Sequence, residues 1–170
     1  MIKFFLIPQK HLKFIAVAII SLTTGCIGKN AQTIVIENPG FSYEIGGDGK
    51  NLSFKDKNGG ADYLFKDTVS YCASVIKDGK RYNVTNAELK EDTLLLGFSP
   101  ADFKAKVLVT RNRENINFKV TGVEGEAESF TFINIPLTLE GMTSEPFAAC
   151  ALSMNLFTYV RQLPALQTHL

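Results

Sequence analysis

The sequence contains no tryptophan, only three cysteines and only two histidines. Without tryptophan, a sugar-stacking surface would have to be built from tyrosine or phenylalanine rings. The histidines are His11 and His169. His11 lies in an opening segment that reads as removed on export, and His169 is the penultimate residue, where chain ends fray. A Ser-His or Cys-His nucleophile therefore has no base to draw on. No Lys/Arg cluster is visible, which excludes the basic face that nucleic-acid binders present, so no nucleic-acid partner is expected. No His and Cys residues are spaced as zinc ligands, and neither a metal nor a cofactor is expected. The apolar runs are short as well. A membrane-crossing helix needs roughly 20 apolar residues, and Phe14–Leu22 offers nine.

That short run has another use. Lys3, Lys10 and Lys13 precede it with no acidic residue among them, and Thr23-Thr24-Gly25 supplies small residues after it. A positive start, a short apolar core and small residues at the cut describe a secretory signal peptide. Gly25-Cys26 resembles the lipobox of bacterial lipoproteins, although Thr23 stands where that motif prefers Leu, which falls at Leu22 instead. The resemblance implies that residues 1–25 are a lipoprotein signal and that Cys26 carries diacylglycerol and acyl chains. Cys26 would then hold the domain on a membrane, with the outer membrane as the expected location. Residues 26–31 would form a short tether.

Removing residues 1–25 takes away three of 18 basic residues and none of 17 acidic ones, so the mature chain carries a net charge of −2. Its 145 residues suit one domain with a real core. With Cys26 as the anchor, Cys72 and Cys150 form an even pair in a compartment that permits a disulfide. The competing reading makes both of them buried small hydrophobes, because their neighbours, SYCASV and FAACAL, are apolar and strand-like.

From residue 32 onward the pattern is that of strands. Thr33–Glu37 is β-branched and stops at Asn38-Pro39-Gly40, and Phe41–Ile45 alternates apolar with polar. Gly46-Gly47-Asp48-Gly49 turns the chain into Leu52–Lys55. Val69–Ile76 and Arg81–Val84 flank Asp78-Gly79, the strongest local hairpin signal. Thr93–Phe98 reads as a central strand, followed by Phe103–Thr110 and its return from Ile116 to Thr121, both with clean alternation. Phe130–Leu139 reads as a strand interrupted by Pro136, and Phe147–Val160 as extended. Roughly nine or ten short strands without an amphipathic helix predict an all-β fold over residues 32–170, an antiparallel β-sandwich, with a closed barrel as the alternative. Leu163-Pro164-Ala165-Leu166 closes the chain either as a segment packed back on the sheet or as the edge of a domain truncated there.

No catalytic constellation stands out. Glu124, Glu126 and Glu128 would share one face if extended, as paired carboxylates for glycoside hydrolysis or calcium would require, but a solvated loop is favoured. Asp56-Lys57-Asn58-Gly59-Gly60 begins like a calcium loop, lacks the distal ligands and reads as a turn. The sequons at Asn51 and Asn83 are idle behind a bacterial signal. Tyr43, Tyr63, Tyr71, Tyr82 and Tyr159 are the only aromatic platforms on offer for a sugar, and packing is the commoner use of each.

The succession Gly60-Ala61-Asp62-Tyr63-Leu64, Lys77-Asp78-Gly79-Lys80, Asp92–Phe98 and Phe147–Leu156 resembles the N-terminal β-sandwich of large secreted glycoside-hydrolase-like lipoproteins of Bacteroidetes-type bacteria. The resemblance covers about residues 32–164. It implies a non-catalytic domain preceding a catalytic barrel, with a glycan or that adjacent domain as partner. No catalytic residue is carried over, because the family's carboxylates would fall beyond residue 170. The alternative expectation is an envelope lipoprotein, structural or interacting, with no sugar ligand.

Overall fold

The computed structural model describes residues 32–160, in which ten strands and no helix form three antiparallel sheets. The fold is all-β. The first sheet is a meander of β1 (Thr33–Glu37), β2 (Phe41–Gly46) and β3 (Asn51–Asp56). In β1 the two-residue period buries Ile34 and Ile36 and leaves Thr33, Val35 and Glu37 outside. Asn38 closes the turn that follows: its Oδ1 accepts the N–H groups of Gly40 and Phe41, both at 2.9 Å.

The second sheet pairs β4 (Ala73–Lys77) with β5 (Lys80–Asn83) on one side and β10 (Ser129–Phe132) on the other. The predicted hairpin is present, with Lys77 opposite Lys80 and positive φ at both Asp78 (52°) and Gly79 (69°), the conformation of a type I′ turn. The third sheet runs in the order β6 (Asn86–Lys90), β7 (Thr93–Phe98), β8 (Phe103–Arg111) and β9 (Ile116–Glu124). Phe103, Ala105, Val107 and Val109 of β8 are buried as their spacing predicts.

All three sheets feed one apolar cluster. Ile36, Tyr43 and Ile45 enter from the first, Val75 from the second, and Leu94, Val107 and Val109 from the third. Burying each such aliphatic side chain stabilises the fold by about 1.5–3 kcal/mol relative to exposure. Phe130 of β10 joins the second sheet to the third, meeting Phe98 edge-on at 5.8 Å and Phe103 at 5.6 Å.

Two stretches differ from expectation. Phe130–Leu139 yields only β10. Ile133 follows with φ 54°, and the chain then makes only an isolated bridge, Leu137 to Leu64 in the β3–β4 connection. Phe147–Val160 forms no strand. Only Phe147 is anchored there, stacked on Tyr63 at 5.2 Å and tilted against Phe54 at 6.2 Å. Beyond it the apolar side chains find no ladder to join, and β-propensity without a partner strand makes no sheet. No helix among the described residues is long and apolar enough to cross a membrane. Residues 1–31, where the signal, the Cys26 anchor and the tether are expected, lie outside the described residues, as do residues 161–170.

Candidate functional site

The glycine turn between β2 and β3 is where the three sheets meet. Gly47 O accepts the Ala87 N–H of β6 at 2.8 Å, and Gly49 O accepts the Cys72 N–H just before β4 at 2.9 Å. Gly49 sits at φ 79° directly over Val84, and a Cβ there would lie 2.1 Å from Val84 Cγ1. The β5–β6 connection crosses between sheets at this point, with Val84 N–H bonded to Ala73 O and Thr85 N–H to Gly97 O.

Around this junction opens a shallow depression of about 420 Å³. The β2–β3 turn contributes Asp48 and Lys50, and the segment before β4 contributes Tyr71. β5 is an edge strand, so residues from both of its faces reach the rim: Arg81, Tyr82 and Asn83. Val84, which is buried, Thr85 and Ser99 complete the lining. Asp48 and Lys50 make an ion pair at 2.7 Å. The Lys50 hydrogen bond holds the Asp48 carboxyl below its ordinary range, and Asp48 in turn raises the Lys50 ammonium. Thr85 Oγ1 is engaged, donating to Gly97 O and accepting from Ser99 N–H. Arg81 and Asn83 are exposed, and among the described residues their side chains have no hydrogen-bond partner; they stand beside two half-buried tyrosine rings. Such a surface can bind a polar ring compound by stacking and hydrogen bonding. Its one carboxylate is committed to Lys50, which leaves the depression without a paired acid and base.

A second polar assembly lies beneath it. Tyr43 OH donates to Asn51 Oδ1, while Asn51 Nδ2 donates to Ser70 Oγ at 2.8 Å and to Asn134 O at 3.0 Å. Asn134 Nδ2 then reaches Tyr71 O at 3.2 Å. Burial pushes the Tyr43 hydroxyl pKa well up, so it remains a donor. This network ties β2 and β3 to the chain around residue 134, and it fixes the backbone that presents Tyr71.

The residues singled out from sequence fare differently. Cys72 and Cys150 are both free thiols in this structure, Cys72 buried and Cys150 exposed. Burial pushes the Cys72 thiol up to about 12. The packing alternative thus describes Cys72 and not Cys150, which sits in the strandless stretch after Phe147. The acidic triplet is split: Glu124 ion-pairs with Lys104 and Lys106 at 3.5 Å each, whereas Glu128 accepts the Gly79 N–H at 2.9 Å. Asp56 caps its own turn, accepting from Asn58 and Gly59 N–H at 2.8 Å each. Among the described residues no three His, Cys, Asp or Glu side chains group as a metal site.

Of the five tyrosines, Tyr43 is buried, Tyr63 is stacked on Phe147 and Tyr159 is exposed on the strandless segment; Tyr71 and Tyr82 come together in the depression. Comparison with protein-family models, curated proteins and solved structures finds no match to this chain. The junction is not visible in the sequence because its lining is spread over four separate segments, 48–50, 71, 81–85 and 99. Only the glycine density at 46–49 hinted that backbones approach closely there.

Proposed function

We propose that this chain is an exported, lipid-anchored, non-catalytic β-domain, a β-sandwich in its wider architecture, that binds glycan for a glycan-processing activity carried by an adjacent domain or partner. The observation that carries the reading is the depression at the sheet junction. Tyr71 and Tyr82 supply apolar ring surface there, and Arg81 and Asn83 supply hydrogen-bonding groups whose side chains have no partner among the described residues. The lipobox-like Leu22–Cys26 stretch supports export and attachment to the outer membrane through Cys26.

A glycan array probed with the full chain in mild detergent tests this. Binding that falls at least tenfold in Asn83→Ala, an exposed site whose loss leaves the fold intact, supports the reading. A blank array from folded protein overturns it. A second reading, an envelope interaction lipoprotein without a sugar ligand, is favoured by the exposed Leu152, Met154, Leu156 and Phe157. Capture of a protein partner that is lost on replacing those four side chains, together with a blank array, would select it.

A further inference from the structure

The charges at the junction do not cancel. Asp48 is matched by Lys50 at 2.7 Å, but Arg81 on the neighbouring edge strand makes no ion pair among the described residues. The carboxylate sharing that end of the sheet, Glu128, is turned to the Gly79 N–H at 2.9 Å. Other cations of the fold do pair, Arg111 with Asp92, Lys57 with Glu37 at 3.1 Å and Lys66 with Asp62 at 2.7 Å, whereas Lys55, Lys80, Arg113 and Lys119 make no ion pair among the described residues; what sets Arg81 apart is its place on the rim of the depression. The depression therefore carries one surplus positive charge, presented as a guanidinium, in a chain whose mature part is net negative. A guanidinium presents a planar fork of donors that matches a carboxylate or sulfate oxygen pair, which an ammonium cannot do. Asn83 stands two residues along the same strand face, within reach of a hydroxyl on the same ring.

We infer that the glycan recognised at the junction is acidic, a uronate- or sulfate-bearing saccharide whose anionic group is met by Arg81 on the rim that it shares with Tyr71 and Tyr82. This inference rests on the glycan-binding reading and narrows it to one charge class. Arg81 is exposed and its side chain makes no hydrogen bond or ion pair among the described residues, so its replacement removes the donor fork without disturbing the core.

The test measures binding of the full chain, in mild detergent at low salt, to polygalacturonate, to its fully methyl-esterified form, and to a panel of neutral and sulfated polysaccharides. The expected result is acid binding at least tenfold tighter than ester binding. It should weaken at least tenfold in Arg81→Gln, recover in part in Arg81→Lys, and fall as salt screens the pair. Arg111→Gln, on the third sheet, should leave it unchanged. A sulfated polymer bound with the same dependence on Arg81 supports the inference equally. Equal affinity for acid and ester, binding confined to neutral polymers, or acid binding that survives Arg81→Gln overturns the acidic assignment and leaves glycan binding standing. Absence of binding to every polymer overturns both.

Discussion

Gly49 and Gly79 both hold positive φ, at 79° and 69°, but different things stand where a Cβ would go. At Gly79 there is open space, so Gly79→Ala meets only the backbone penalty of the left-handed region, about 1 kcal/mol. At Gly49 the new methyl would collide with Val84, which is itself buried, and the overpacking adds to the backbone strain. Gly49→Ala is expected to destabilise by about 3 kcal/mol or more. Urea unfolding of the two variants side by side checks the contrast; equal losses would mean that the junction is looser than this packing. Cysteine chemistry gives a second residue-scale prediction. Cys72, buried with its thiol pushed up to about 12, stays protonated at pH 8, while Cys150 is open to solvent. With Cys26 blocked, a thiol reagent should label one cysteine in the native protein and two in urea. No label in either state would restore the Cys72–Cys150 disulfide, and two native labels would refute the burial of Cys72.

At the scale of elements, strand content was legible wherever alternation and turn chemistry agreed. The β8–β9 pair and the Asp78-Gly79 hairpin show both signals, and both are present. β6 was invisible because its sequence, NAELK, is made largely of good helix formers. Pairing with β7 and the Gly47–Ala87 hydrogen bond override that propensity. Phe147–Val160 erred the other way, since strand-forming residues there have no ladder to enter. The bridge at Asp62 belongs to this scale as well. Its Oδ1 accepts the N–H groups of Phe54 at 3.0 Å and Leu64 at 3.1 Å, and Oδ2 takes Lys66 Nζ at 2.7 Å. Burial pushes the Asp62 carboxyl up, but the Lys66 and backbone hydrogen bonds outweigh it and hold the group at about 2. A carboxyl lowered on folding stabilises above its unfolded value, 3.8, and that contribution is lost as pH falls through about 2. Asp62→Asn keeps the backbone acceptor and should flatten the acid limb of the stability curve between about pH 4 and 2. Asp62→Ala strands the Phe54 N–H and should cost about 1–3 kcal/mol at neutral pH. An unchanged acid limb in Asp62→Asn would show that the carboxyl is not what stabilises this bridge.

For the molecule as a whole, the all-β class and the single core were readable because the two-residue period runs through most of the strands. The candidate site was not, because a depression assembled from a turn, an edge strand and two connections leaves no local pattern. The structure also divides the chain's apolar residues into those the fold uses and those it does not. Among the described residues Phe147 is the last that packs against the core, through its contacts with Tyr63 and Phe54. Leu152 and Met154 are 80% and 83% exposed, and Leu156 and Phe157 are fully so. Side chains that exposed contribute nothing to the core, so replacing all four with Ser should leave the unfolding free energy within about 0.5 kcal/mol. Phe147→Ala removes half-buried aromatic contacts and should cost about 1–2 kcal/mol. Binding of a hydrophobic dye to the native protein should fall in the fourfold variant and stay unchanged in Phe147→Ala. A fourfold variant that melts earlier than wild type would place the Leu152–Phe157 stretch inside the cooperative fold, and the boundary of the domain would move beyond Phe147.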